Sequence, residues 1–151
     1  MTYSSTRWVG GALLLSIAFV TAIMVFAIMR PGNISAQGDA PSKLAVVWTS
    51  ADKEVAIKMV YMYTFNAKRQ GWFDTVQFII WGPSSKLLSE DTELQDYLAK
   101  MKDAGVVITA CKACSDMYGV SDKLTELGVD VKYMGKPLSD ILKSDWKVLT
   151  F

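Results

Sequence analysis

The chain of 151 residues contains no histidine. That removes the side chain that most often serves as a general base near neutral pH, the usual nitrogen ligand of zinc, and any Ser-His or Cys-His dyad. There is no excess of one charge either. Residues 43–151 carry 14 Lys+Arg against 14 Asp+Glu, whereas a nucleic-acid binder normally shows a basic surplus. Neither G-x-G-x-x-G nor a Walker A sequence occurs, so nucleotide and flavin binding lack their usual phosphate cradle and no cofactor is expected. Cysteine is confined to two positions, Cys111 and Cys114, and no internal repeat or low-complexity tract is present.

Apolar residues, by contrast, are abundant: 51% of the chain, with a mean hydropathy of +0.22. One stretch accounts for much of this. From Trp8 to Met29 the sequence WVGGALLLSIAFVTAIMVFAIM runs for 22 residues without a charge, between Arg7 and Arg30. A helix needs roughly 20 apolar residues to cross a bilayer, and the apolar core of a cleaved signal peptide is shorter, about 7–15 residues. Residues 1–30 are therefore expected to form a single-pass membrane anchor. The alternative is a signal sequence, which would make the domain secreted or periplasmic. Arg7 on one side and Arg30 with Lys43 on the other nearly balance, so the positive-inside rule leaves the side of the membrane open. Residues 31–42, PGNISAQGDAPS, are small, polar and proline-bounded, and read as a linker.

Residues 43–151 alternate strand and helix patterns. Strands are expected at 43–48, 75–81, 106–110, 129–134 and 147–151, and helices at 52–70, 91–105, 121–127 and 137–144. Such alternation with short connections implies parallel strands and right-handed crossovers. The expected architecture is an α/β, flavodoxin-like three-layer domain with a five-stranded parallel sheet, preceded by one transmembrane helix. The helix at 52–70 is apolar on two sides. Val55, Ala56, Met59, Val60, Tyr63 and Ala67 form a stripe that can face the sheet, while Ile57, Tyr61, Met62 and Phe65 fall on the far side. An all-round apolar helix is normally covered on both sides. A second subunit is the expected cover; packing by the chain's own C-terminal helix is the alternative.

Ligands of open parallel sheets bind beyond the carboxyl ends of the strands. The segment ITACKACSDMYGV, residues 108–120, puts the C-x-x-C pair there. Amide N–H groups at a following helix start, and the charge of Lys112, would favour a thiolate. A second thiol one turn on can resolve the product. The catalytic candidates are thus Cys111 and Cys114, with Ser50, Lys112, Asp116 and Tyr118 as candidate substrate contacts. Two buried packing cysteines, half of a zinc site completed by carboxylates or another subunit, and a thioredoxin-type redox pair stand beside that reading. With no histidine, no metal is assigned.

The segment VVITACKACSDMYGV, together with the opening KLAVVWTSADKEVAIKMVYMYTFNAKRQGW and the ending LGVDVKYMGKPLSDILKSDWKVLTF, resembles the DsrE/DsrF-like family over about residues 43–151. Cys111, Cys114, Asp116, Gly119 and Val120 match a strand ending in C-x-x-C, then Asp, then Gly and a branched apolar residue. The resemblance implies a flavodoxin-like sheet and assembly as a homotrimer, hexamer or related oligomer. It also implies a sulfur carrier or sulfurtransferase that holds sulfane sulfur as a persulfide on Cys111 and exchanges it with donor and acceptor proteins. Many relatives have Arg before the glycine, where this chain has Tyr118. The alternatives are a non-catalytic oligomeric binding or scaffold module and a thiol–disulfide protein using the C-x-x-C pair.

Overall fold

The computed structural model describes residues 42–151. The expected anchor, Trp8–Met29, and most of the expected linker lie outside them. Among the described residues no helix is long and apolar enough to cross a membrane.

The chain runs β1 (Lys43–Trp48), a long helix α1 (residues 53–69), β2 (Thr75–Ile80), α2 (Ser84–Glu90), α3 (Thr92–Asp103), β3 (Val107–Cys111), α4 (Lys112–Met117), α5 (Ser121–Glu126), β4 (Asp130–Lys132), α6 (Gly135–Leu142) and β5 (Lys147–Thr150). All five strands are parallel, in the order β4-β3-β2-β1-β5. From β1 to β4 each strand is laid beside its predecessor in one direction. The chain then returns past three strands to place β5 against the free edge of β1. Right-handed crossovers in opposite directions put their helices on opposite faces. The direction therefore switches at β1, which is flanked by β2 and β5 rather than by consecutive strands.

The two faces differ in what covers them. Alternate residues of the strands, Leu44, Val46, Trp48, Val76, Phe78, Ile80, Ile108 and Ala110, pack with α1, α2, α3 and α5 into the larger core. At its centre Trp48, Tyr61 and Phe78 meet with ring centroids 5.2–5.9 Å apart, and Tyr97 joins at 5.3 Å. Aromatic pairs at such spacings contribute about 0.5–1.5 kcal/mol each beyond the area they bury. The opposite face holds a smaller cluster. Ala45, Val47, Ile79, Cys111, Met134 and Ile141 are buried there, with Trp81, Cys114, Leu138, Trp146 and Val148 packed against them. Its helical cover is α6, eight residues long.

Helix α1 corrects one expectation. Asp52 caps it, accepting from the N–H groups of Glu54 and Val55 at 2.8 and 3.1 Å. Only Lys53–Val55 and Met62–Arg69 are α-helical, and Ala56–Tyr61 between them is π-helix. In an α-helix residues five apart lie about 140° from each other. The i→i+5 winding brings them onto one side, and Ala56 and Tyr61 are both fully buried. Tyr61 is therefore a core residue and not part of the outward face. Met59, expected toward the sheet, is half exposed. Of the remaining far-side residues, Met62 is exposed, while Ile57 and Phe65 are partly buried against the core.

Further boundaries differ for local reasons. Helix α2 was not anticipated, because Ser84-Ser85 after Pro83 reads as loop and Leu87 and Leu88 give little periodicity. Asp91 proves to be the cap of α3, accepting from Leu94 N–H at 3.1 Å. The C-x-x-C segment is itself helical, and α6 starts at Gly135, two residues before Pro137.

Candidate functional site

Strand β3 ends on Cys111, which also occupies the N-cap position of α4. The first turn of that helix carries Cys114 back over the sheet edge. Gly119, at φ +68°, closes the segment in the left-handed conformation that glycine adopts without strain. The two cysteines approach to 3.4 Å, and both are free thiols. Cys111 is buried and Cys114 is partly exposed. Solvent therefore reaches the pair from the Cys114 side.

The neighbouring strand completes the environment. Trp81 N–H donates to Trp48 O at 2.9 Å, and the Ser84 hydroxyl donates to Trp48 O at 2.6 Å. The carboxyl ends of β1 and β2 are thereby stitched together. Just past the end of β2, Gly82 sits at φ +71°, and its backbone acts on the Cys114 thiol. Burial pushes the Cys114 thiol up, and its hydrogen bond with Cys111 pushes it further; the Gly82 backbone acts in the opposite direction. The proton is thus held on Cys114, at the entrance to the pair.

The polar candidates separate into three places. Lys112 does not serve the thiols. Its ammonium bonds both carboxylate oxygens of Asp116, at 2.7 and 2.8 Å, and lies 6.0 Å from the Tyr133 ring centroid. Asp116 also accepts from the Ser121 hydroxyl at 2.5 Å, which ties α4 to the start of α5. Lys112 and then Ser121 hold its carboxyl below the usual range. Ser50 lies at the end of β1, where its Oγ accepts from Asp52 N–H at 3.0 Å and shapes the entry to α1. Tyr118 lines a separate cleft with Ala51, Pro83, Lys86, Leu87 and Glu90. The expected helix-start amides are not directed at Cys111, whose side chain makes no capping hydrogen bond. The backbone group that favours the Cys114 thiolate is that of Gly82, which sequence reasoning missed.

A second feature escaped the sequence. An apolar cleft of about 240 Å³ opens where β1, β2 and β5 end. Val47, Trp81, Leu138 and Val148 form its walls, and these four belong to the same cluster as the two cysteines. Thr49 and Thr150 contribute the polar part of the lining, and Leu142 stands at its rim. Of the three aromatics near strand ends, Trp81 lines this cleft, whereas Trp48 is buried in the core and Tyr133 is exposed.

Among the described residues no group of His, Cys, Asp and Glu is arranged to hold a metal ion.

Fold and site together define a class: a three-layer parallel α/β protein with a dithiol at the carboxyl edge of its third strand. The model of the DsrE/DsrF-like family matches residues 24–151, and the chain belongs to that family. A conserved protein of unknown function from Bacteroides thetaiotaomicron is 37% identical, with a TM-score of 0.71 over 80% of this chain and 100% of that one. The ychN protein of E. coli shares the fold at 18% identity, with a TM-score of 0.57 over 73% of this chain and 99% of that one. No curated protein gives a significant match.

Proposed function

We propose that the chain is a sulfur carrier, which accepts sulfane sulfur on Cys111 as a persulfide and passes it to a second thiol. The observation that supports this most directly is the approach of two free thiols to 3.4 Å at the carboxyl edge of β3, in a family associated with sulfur relay. The Cys111 sulfur attacks the outer sulfur of a persulfide donor, R–S–SH. A new S–S bond forms at Cys111, the donor's S–S bond breaks, and R–S⁻ leaves and takes up the proton released from the Cys111 thiol. The acceptor thiol then removes the outer sulfur by the same displacement. Neither step needs an oxidant or a histidine. Cys114, kept protonated, donates a hydrogen bond to the attacking sulfur. Ser50, Lys112, Asp116 and Tyr118 are assigned to the surface around this edge, where donor and acceptor proteins dock.

Two further elements belong to the proposal. The apolar segment Trp8–Met29 tethers the domain to a membrane. The outward side of α1, with Met59, Ile57, Met62 and Phe65, packs against other copies in a trimer or hexamer.

The short thiol–thiol distance also favours a second reading. The pair can be oxidised to a disulfide, giving two electrons and two protons to an external disulfide. One experiment separates the readings. The full chain, Cys111→Ser and Cys114→Ser are incubated with a persulfide donor and weighed intact. The carrier gains one sulfur, keeps it in Cys114→Ser and loses it in Cys111→Ser. A loss of two hydrogens with no added sulfur supports the redox protein. No change in either thiol supports a scaffold in which the cysteines only pack.

A further inference from the structure

We infer that the apolar cleft beside the thiols receives the organic substituent of a small-molecule sulfur donor, and that the donor is a persulfide whose substituent is a single uncharged, apolar, ring-sized group. This rests on the sulfur-carrier reading and adds the class of donor to it.

Three observations carry the inference. The cleft lies at the carboxyl ends of β1, β2 and β5, where the sheet changes direction; that is the crevice in which open parallel sheets bind ligands. It adjoins the surroundings of the thiol pair: neither cysteine lines it, but its walls Val47, Trp81, Leu138 and Val148 belong to the cluster that buries Cys111 and packs with Cys114. Its lining carries no charged side chain, and the nearest cation in sequence to the pair, Lys112, is bound to Asp116. A charged substituent, such as that of a peptide persulfide, finds no counter-charge there, and its desolvation is unfavourable. Size fits as well. A cavity of about 150 Å³ holds benzene, and this cleft offers about 240 Å³. In the reaction, the protein thiol takes the outer sulfur of R–S–SH and R–SH departs. The R group fills the cleft before transfer and leaves it afterward.

The test compares two donors on the full chain: benzyl persulfide and glutathione persulfide, each released in solution from a protected precursor. The rate of sulfur addition is read by intact mass. Benzyl persulfide loads about tenfold faster, the order expected when one ring leaves water for a half-open apolar cleft. Leu142 is exposed at the rim, so Leu142→Glu leaves the core untouched; it abolishes the preference by slowing the benzyl donor alone. Equal rates for both donors in the unaltered chain overturn the cleft assignment and leave the carrier reading standing. Loading by neither donor overturns both. If Leu142→Glu slows both donors equally and converts an oligomer to a monomer in sedimentation, the cleft is a subunit contact and the inference fails.

Discussion

The two faces of the sheet are built from the same strands and do different work. One is closed by α1, α2, α3 and α5 over an aromatic centre in which Trp48, Tyr61 and Phe78 are fully buried. The other is covered by α6, and it holds the thiol pair and the apolar cleft. A parallel sheet needs both faces covered, but the covers need not be equal. A well-packed face can supply most of the stability and hold the strand ends still, and a thin face can then keep thiols near solvent. Strand β3 links the two: Ala110 faces the thick core and Cys111, the next residue, faces the thin one.

That division is broken most sharply by removing a ring. Phe78→Ala is expected to cost about 3–5 kcal/mol, as for other large core truncations. Leu138→Ala, on the thin face and only partly buried, is expected to cost less than half as much. Denaturant midpoints of the two variants measure the ratio, and equal losses would dissolve the distinction between the faces. Gly82→Ala comes next. No neighbour lies within 4 Å of the added carbon, so the cost is conformational, about 1–2 kcal/mol for a left-handed residue. As the backbone relaxes, its polar group at this position moves away from Cys114. The Cys114 thiol should then titrate higher still in a pH series of alkylation rates.

Smaller effects sharpen the same comparison. The Tyr61 hydroxyl is buried without a hydrogen-bond partner among the described residues. Removing an unpaired buried polar group recovers its desolvation cost, so Tyr61→Phe is expected to be neutral or to stabilise by up to about 1 kcal/mol in the same denaturation experiment. The smallest effect is that of Asp116→Asn. The Asp116 carboxyl is held below its usual range by Lys112 and Ser121. A group depressed on folding stabilises above its unfolded value, and that contribution is lost as pH falls through the folded value. The native chain should therefore exceed the variant slightly near neutrality. The gap should close as the pH falls below the ordinary carboxylate range.

How much of this was readable without coordinates differs between the faces as well. Apolar runs and glycine stops sufficed for the five strands, their parallel sense and the placement of Cys111 at a strand end. They did not suffice for α1, because periodicity counting assumes one winding throughout, and the π-helical turns from Ala56 to Tyr61 change the phase midway. Tyr61 was misplaced for that reason alone. At the site, both thiols were legible as C-x-x-C. The Gly82 backbone group was not, since glycine carries no side-chain signal and its partner lies 32 residues away, on another element. Lys112 was assigned to the thiols by proximity in sequence. Its i,i+4 partner Asp116 was equally visible and is the stronger electrostatic match. The cleft depends on where β5 returns, which follows from strand order and not from any local pattern.

The central claim is that the thin face presents a working thiol, with Cys111 as the residue that carries sulfur. Residue-level mass mapping of the full chain after brief exposure to a persulfide donor tests it most directly. The account predicts one added sulfur on Cys111, with Cys114 unmodified and still a free thiol. Added sulfur confined to Cys114, or a Cys111–Cys114 disulfide with no added sulfur, would contradict it.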